Sequence, residues 1–285
     1  MTKSTLFIAG ALLGLALWIA TAGTAAAQSN NALAAEQACV NDAQHNAYSA
    51  AVSDCTLALQ LTPNNATVAE ILCLAEAAAG NYTAAVTICT QTIALNSQLE
   101  PAYNTRCAAY NNLGNYTAAI ADCTQAISLN PKDPDPLINR CDSEMYSGNN
   151  TAAVQDCSQA IALNPQITQA YDNRCAAYNG LKNYANAIAD CTQAIKLNPQ
   201  DVAAYTNLGN AYLEQGNCAT AISYYNQGLA IAPNAVIYAN RGACNQHLGN
   251  EAQAISDFQN AVKIDPNNQT ALNGLKSYGA KPASQ

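Results

Sequence analysis

The segment EPAYNTRCAAYNNLGNYTAAIADCTQAISLNPKD, residues 100–133, carries the pattern that decides the fold. Its apolar residues follow helical spacing in two stretches, which a turn at Gly114-Asn115 separates and Asn130-Pro131 ends. Related segments begin 34 residues apart: NYTAAVTICTQTIALN at residue 81, NNTAAVQDCSQAIALNP at 149 and NYANAIADCTQAIKLNP at 183. A fixed period of this length predicts a stacked array of helical hairpins.

The segment resembles the tetratricopeptide repeat (TPR), a helix-turn-helix unit of the same length. The residues that match most of the TPR signature are Tyr103, Tyr110, Gly114, Tyr116, Ala119, Ala126 and Pro131. Cys107 and Cys123 depart from it, because the family usually has a glycine and a large aromatic residue at these positions. The resemblance implies an all-α fold, a right-handed αα-superhelix or TPR solenoid, in which neighbouring repeats share one apolar core.

Aligning the segments on their closing position gives seven TPR-like repeats over residues 28–268 and leaves no room for another domain. Their predicted spans are about 32–65, 66–99, 100–133, 134–167, 168–201, 202–234 and 235–268. Residues 269–285 are predicted to form a capping helix and a tail, because Lys276 stands where a further repeat needs a small residue.

Residues 1–27 have the pattern of a signal peptide. Lys3 precedes an apolar run, and small residues ending in Ala25-Ala26-Ala27 follow it. Cleavage after Ala27 predicts a secreted protein, extracellular or periplasmic, that has no membrane contact once cleaved. The alternative is an uncleaved membrane anchor, since residues 6–23 form 18 uncharged residues.

Composition argues against nucleic-acid binding and against catalysis. The formal net charge is −8, and no basic face is present to bind phosphates. His45 and His247 lie in different end repeats, outside any nucleophile or metal motif, and no phosphate-binding glycine loop occurs. We therefore expect a protein without enzyme activity, cofactor or metal.

Ten of the twelve cysteines alternate at intervals of 16 and 18 residues, one on each helix of the first five repeats. The two in a repeat are nearly symmetric about its turn, so they face each other. The last two repeats instead have Gly209 with Tyr225 and Gly242 with Phe258. One disulfide per repeat explains this co-variation, and buried thiols or metal ligands are the alternatives. The predicted disulfides are Cys39–Cys55, Cys73–Cys89, Cys107–Cys123, Cys141–Cys157, Cys175–Cys191 and, between repeats, Cys218–Cys244.

A second pair of positions co-varies across the hairpin, with arginine on the first helix and aspartate on the second. The pairs are Arg106 with Asp122, Arg140 with Asp156, Arg174 with Asp190, and Arg241 with Asp257. Where leucine replaces the arginine, at Leu72 and Leu208, the aspartate becomes Ile88 or Tyr224. We interpret the pairs as structural salt bridges; a ladder of arginines for an acidic ligand is the alternative.

The resemblance to TPR proteins implies a binding face on the concave side, lined by the first helices. The residues that fall there are Asn104, Asn111, Asn139, Asp172, Asn179 and Asn210. Asparagine can bind a peptide backbone through its amide donor and acceptor, and nearby tyrosines can stack on a peptide or a sugar. The alternative is that these asparagines only solvate a charge-poor surface. The expected partner is a protein or peptide, with a glycan as a further candidate.

Sequons for N-glycosylation occur at Asn65, Asn81, Asn115, Asn149 and Asn268. Three of them, Asn81, Asn115 and Asn149, occupy the same turn in successive repeats, so glycans there would form a row.

Two hypotheses for function remain. The first is a secreted or periplasmic scaffold that holds a peptide, protein or glycan. The second is a structural subunit that associates end to end into an extracellular, glycosylated fibre, since heterologous contacts generate open filaments. Electron microscopy over a range of protein concentrations distinguishes them.

Overall fold

The structure is a computed structural model and describes residues 29–281. The predicted signal peptide at residues 1–27 lies outside the described residues. All regular secondary structure between residues 29 and 281 is helical, without a strand. The predicted all-α fold class is therefore confirmed for this part of the chain.

The helices follow one another as hairpins, each with a short internal turn. The first hairpin comprises α1, over residues 29–44, and α2 (Tyr48–Leu61). The next hairpins are α3 (Ala66–Ala78) with α4 (Tyr82–Leu95), α5 (Glu100–Asn112) with α6 (Tyr116–Leu129), α7 (Asp135–Tyr146) with α8 (Asn150–Leu163), α9 (Thr168–Gly180) with α10 (Tyr184–Leu197), α11 (Val202–Glu214) with α12 (Cys218–Ile231), and α13 (Ala235–His247) with α14 (Glu251–Ile264). A single helix, α15 (Gln269–Ser277), follows them.

The hairpins are divided between two compact units. The first unit ends at Leu129 with α6, and the second begins at Asn130 and contains α7 to α15. Within each unit, the second helix of a hairpin packs on the first helix of the next, as α4 does on α5 and α10 on α11. First helices also contact each other, as α9 contacts both α7 and α11. This is the stacking that the TPR resemblance implies.

The turn inside each hairpin contains one residue with a positive φ angle. Glycine has this role in five hairpins, at Gly80, Gly114, Gly148, Gly216 and Gly249. Asn46 and Lys182 take it in the other two, with φ of 57° and 58°. Left-handed backbone is costly for residues with a Cβ, which explains why glycine recurs at this point of the period.

Small side chains line the contact between the two helices of a hairpin. The fourth residue of α2, α4 and α6 is alanine, and Ala51, Ala85 and Ala119 are fully buried. The same position is a fully buried alanine in the second unit, at Ala153, Ala187, Ala221 and Ala254. A methyl group lets two helices approach closely, and this places the paired positions of the first and second helices within reach of each other.

The last described helix closes the apolar end of the seventh hairpin. Ala271, Gly274 and Leu275 of α15 are buried, and Gly274 lies directly against the ring of Phe258. Asn273 and Lys276 are on the other side, where Lys276 is exposed. Among the described helices, none combines the length and the apolar character that crossing a bilayer requires.

Candidate functional site

Five disulfides join the two helices of each of the first five hairpins. They are Cys39–Cys55, Cys73–Cys89, Cys107–Cys123, Cys141–Cys157 and Cys175–Cys191. Their Cα atoms lie between 4.7 and 5.7 Å apart, and all ten side chains are fully buried. Disulfides persist in oxidising compartments, so this set favours a protein that works outside a reducing cytosol.

Glycine and an aromatic ring take the place of the disulfide in the last two hairpins. The rings of Tyr225 and Phe258 are buried, with exposed fractions of 0% and 1%. A Cβ atom on Gly242 would lie 2.7 Å from Cε1 of Phe258, and one on Gly209 would overlap the ring of Tyr225. Each ring therefore requires a glycine opposite, which explains why the two positions change together.

The predicted disulfide between repeats, Cys218–Cys244, is not formed in the structure, where both residues are buried free thiols. Both belong to one apolar cluster with Tyr225. Burial raises the pKa of Cys244, followed by its contact with Cys218. The two residues therefore lie in the same cluster, as predicted, but without the predicted bond.

The four arginine–aspartate pairs are salt bridges, as the co-variation predicts. The N–O distances are 2.6 Å in Arg106–Asp122 and Arg174–Asp190 and 2.7 Å in Arg140–Asp156, and the fourth pair is Arg241–Asp257. Hydrogen bonding to the aspartate raises the pKa of Arg106, Arg140 and Arg174. The carboxylates hold these guanidinium groups, so the arginines are structural and not a ladder for an acidic ligand.

The predicted binding residues are divided between the two units. Asn104 and Asn111 lie on α5 of the first unit. Asn139, Asp172, Asn179 and Asn210 lie on α7, α9 and α11 of the second unit, where their helices pack side by side. The second unit therefore presents the more extended candidate face.

One cavity on this face contains two aspartates, and we call it the acidic cavity. It has a volume of about 280 Å³. The residues that line it are Asp142, Met145, Tyr146, Asp172, Asn173, Ala176, Ala203, Thr206, Asn207, Asn234 and Val236. They come from the first helices of four successive hairpins and from the residue that caps α13.

A second cavity, of about 310 Å³, is formed by α9, α10, α11 and α13 and the turn before α10, and we call it the amide cavity. It is lined by Asn179, Lys182, Tyr184, Asn210, Leu213, Glu214 and Asn240. Asn210 is already engaged within the protein, because its Oδ1 accepts hydrogen bonds from Tyr225 and Asn240, each at 2.8 Å.

Four residues of this face are not among the predicted binding residues, namely Asp142, Asn173, Asn207 and Asn240. A signal for three of them is present in the repeat period. Asparagine recurs at one position of four successive first helices, at residues 139, 173, 207 and 240. Only Asn139 was expected from this set, because the concave positions were assigned by resemblance rather than by this recurrence.

Two buried amide atoms on α9 have no hydrogen-bond partner. Nδ2 of Asn173 is unpaired, and Asn173 is only 8% exposed. Oδ1 of Asn179 is also unpaired, whereas its Nδ2 donates to the carbonyl oxygen of Asn207 at 2.8 Å. Buried polar atoms are nearly always paired in folded proteins, so an unpaired donor and an unpaired acceptor on one face are consistent with a ligand that supplies both.

The carboxyl group of Asp172 lies in an environment that opposes its ionisation. Its pKa is raised from 3.8 to about 6, mainly by burial; repulsion from Asp201 and Asp142 adds to the rise, and a hydrogen bond from Asn207 opposes it. That bond joins Nδ2 of Asn207 to Oδ1 of Asp172 at 3.0 Å. Burial also raises the pKa of Asp142.

Another cavity of the second unit, of about 520 Å³, lies elsewhere and is a weaker candidate. Its charged residues, Arg241 and Asp257, form one of the structural salt bridges, and Asn245 donates to Asp257 at 3.1 Å. Its charged groups and the amides of Asn226 and Asn245 are thus paired with each other. In the described part of the chain, no group of three or more His, Cys, Asp or Glu residues is placed to hold a metal.

The three sequons in equivalent turns are accessible. Asn81, Asn115 and Asn149 are exposed and directly precede second helices. Asn65 and Asn268 are only partly exposed, and Asn268 caps α15. The use of these sites stays a prediction.

Comparison with known proteins supports the repeat assignment. Sequence profiles described as "Tetratricopeptide repeat" match residues 166–234, and residues 101–133 and 235–268. None of the curated proteins matches the chain by sequence.

Several solved structures share the fold. A tetratricopeptide repeat protein from Parabacteroides merdae is 18% identical, with a TM-score of 0.69, and the match covers 87% of this chain and 98% of that protein. A chain of the APC/C hetero-tetramer Cut9-Hcn1 is 19% identical, with a TM-score of 0.70, and the match covers 81% of this chain and 48% of that one. YrrB, a TPR protein with an unusual peptide-binding site, is 17% identical, with a TM-score of 0.50, and the match covers 66% of this chain and 97% of YrrB. The profile matches, the stacked hairpins and these structural neighbours agree with one another, and the chain is a tetratricopeptide repeat protein.

Proposed function

We propose that this protein is a secreted or periplasmic scaffold that binds an extended peptide segment of a partner protein on the first-helix face of its second unit. TPR proteins are generally non-enzymatic scaffolds for protein–protein interaction, and the fold itself supports this class of function. YrrB, which has the same fold, carries a peptide-binding site and so provides a precedent for this class of ligand.

The observation that carries the proposal is the pair of unpaired amide atoms on α9. Each residue of an extended peptide offers one N–H donor and one C=O acceptor. A peptide carbonyl would satisfy Nδ2 of Asn173, and a peptide N–H would satisfy Oδ1 of Asn179. α9 and α11 contribute residues to both the acidic and the amide cavity, so one extended segment can reach both.

The five disulfides support the proposed location. Each joins cysteines 16 residues apart and contributes on the order of 3 kcal/mol to stability in the chain-entropy model. Disulfides form and persist in oxidising compartments outside the cytosol, and their added stability helps a protein there to resist proteases and heat.

The scaffold is favoured over the end-to-end fibre by the character of α15. A fibre joint at this end would need an apolar or complementary surface, whereas α15 turns Asn273 and Lys276 away from its buried side. A helix with a polar outer side is what a repeat array uses to end in water.

The test begins with a random heptapeptide display library, panned against the oxidised full chain, and with a glycan array probed in parallel. We expect enriched peptides whose affinity falls about fivefold to tenfold in the variant Asn173→Leu, the loss that follows from one buried hydrogen bond. The free protein should lose no stability, because the change removes a buried donor that has no partner.

The matched control is Asn245→Leu. Asn245 is as buried as Asn173, with 7% exposure, but its amide is paired with Asp257 and Asn250. This variant should lose stability and keep its peptide affinity. Absence of any enriched peptide, or an unchanged affinity in Asn173→Leu, contradicts the proposal, and binding to glycans alone replaces it with the glycan alternative.

A further inference from the structure

We propose that the acidic cavity is a subsite for one basic side chain, lysine or arginine, of the bound peptide. This inference rests on the proposed function and specifies the chemistry of the segment that the second unit recognises.

The cavity has negative charge without a compensating cation. Asp142 on α7 and Asp172 on α9 both line it, and none of its lining residues is Lys, Arg or His. The nearest arginines along these helices, Arg140 and Arg174, are held by Asp156 and Asp190. The field in the cavity is therefore negative, and it attracts a positive group.

Asp172, which is partly exposed, differs from the three buried aspartates of the unit. Asp156, Asp190 and Asp257 each have an arginine, whereas the described residues give Asp172 one hydrogen bond from the neutral amide of Asn207. A buried carboxylate without a counter-ion costs free energy, and protein cores normally avoid this arrangement. A cationic side chain in the cavity would supply the missing counter-ion.

A second observation points to the same cavity. Nδ2 of Asn173 is unpaired, its residue is more than nine-tenths buried, and it lines the acidic cavity beside Asp172. This donor requires an acceptor, which an amine or guanidinium does not have. The ligand must therefore combine a cation with an acceptor nearby, as a basic residue and its backbone carbonyl do.

The walls of the cavity suit the apolar stem of such a side chain. Met145, Ala176 and Val236 provide apolar surface, and Val236 is 48% exposed. Lysine and arginine bury their methylene groups on surfaces of this kind while the charged end meets polar groups. A hard divalent cation such as Ca²⁺ or Mg²⁺ fits poorly, because it takes six or more oxygen ligands and only two carboxylates line the cavity.

The experiment uses the peptides selected on the full chain. We expect a lysine or arginine at one fixed position of the enriched sequences. One such peptide, labelled with fluorescein, should lose about tenfold or more in affinity when norleucine replaces its basic residue. The double variant Asp142→Asn and Asp172→Asn should lose the same factor toward the basic peptide and bind the norleucine peptide as the wild type does.

The matched control is the double variant Glu251→Gln and Asp265→Asn, which removes two negative charges of the same unit outside both cavities. It should bind the basic peptide like the wild type, and a loss of affinity equal to that of the first double variant would assign the effect to net charge and overturn the inference.

Enriched peptides without a basic preference overturn the subsite and leave the peptide-binding function intact, whereas no enrichment at all removes both. If spermidine alone binds as tightly as the peptide, the cavity is a site for free amines, and this result also overturns the inference.

Discussion

Both carboxylate oxygens of Asp190 accept hydrogen bonds from the guanidinium group of Arg174, from Nε at 2.6 Å and from Nη2 at 2.7 Å. The remaining nitrogen, Nη1, donates to Oγ of Ser158 on α8 at 2.9 Å. The guanidinium carbon also lies 5.7 Å from the ring centre of Tyr171. Arg174 thus joins the two helices of its own hairpin to the second helix of the preceding hairpin.

Replacing one member of this pair should lower the free energy of unfolding of the protein. In the variant Asp190→Ala, Arg174 keeps its charge in a site where its side chain is only 18% exposed. Breaking a buried ion pair by removing one partner typically costs about 3 to 5 kcal/mol, and we expect about 3 here because the arginine keeps some solvent. Denaturant unfolding followed by circular dichroism measures the loss.

The chain supplies its own control for this prediction, because apolar residues occupy the equivalent positions of the second repeat. Leu72 and Ile88 pack in one cluster there. The double variant Arg174→Leu and Asp190→Ile copies this pair and should cost less than Asp190→Ala alone, since apolar replacements of a buried ion pair are often neutral. A double variant that is no more stable than the single one contradicts this account.

A methyl group at Gly209 should destabilise the sixth hairpin. The added Cβ would overlap the ring of Tyr225, which is fully buried and cannot move toward solvent. Overpacking of this kind costs about 1 to 3 kcal/mol. In the control Gly180→Ala, the new Cβ meets only the side chain of Asn150 at the hairpin end, so the variant should stay within about 0.5 kcal/mol of the wild type. Equal effects in the two variants would show that the ring is not the cause.

Much of the fold was predictable because the period repeats the same physical requirements. Glycine recurs at the turn because the backbone there has a positive φ, and Asn46 and Lys182 show that the fold also accepts a residue with a Cβ at this point. Co-variation predicted the salt bridges because each charge depends on a partner 16 residues away. The division into two units at Leu129 was not predictable, because the repeat pattern continues through that point.

The candidate site was less predictable, because it depends on which buried polar atoms have no hydrogen-bond partner, and residue type alone does not reveal this. Asn179 was expected on the binding face from its position alone, but Asn173 becomes informative only once Nδ2 is seen to be buried and unpaired. The high cost of charging Asp172 likewise arises from burial on a helix packed against α7 and α11, which no local sequence pattern reveals.

The two free thiols predict a specific labelling pattern. Iodoacetamide should not modify the native protein, because Cys218 is 3% exposed, Cys244 is fully buried, and burial raises the pKa of Cys244. After unfolding in guanidinium chloride without reductant, mass spectrometry should find two labelled cysteines, at residues 218 and 244. All twelve should be labelled after reduction. An unfolded, unreduced chain without any label would mean that the sixth disulfide forms after all.

The ionisation of Asp172 makes the stability of the protein depend on pH, and one substitution should remove this contribution. The folded protein holds this proton up to about pH 6, whereas the unfolded chain releases it near the ordinary pKa of 3.8. Between these values the folded state binds more protons, so the free energy of unfolding falls as the pH rises, and the loss is complete above about pH 6. The variant Asp172→Asn cannot ionise and keeps the Oδ1 acceptor for Asn207. It should match the wild type below about pH 4 and exceed its stability by about 2 to 3 kcal/mol at pH 7.

Unfolding measured at both pH values tests this, and a stability difference that is the same at both would show that ionisation of Asp172 is not its source. A gain in stability joined to a loss of affinity for the basic peptide would mean that Asp172 is retained for binding at the expense of the fold.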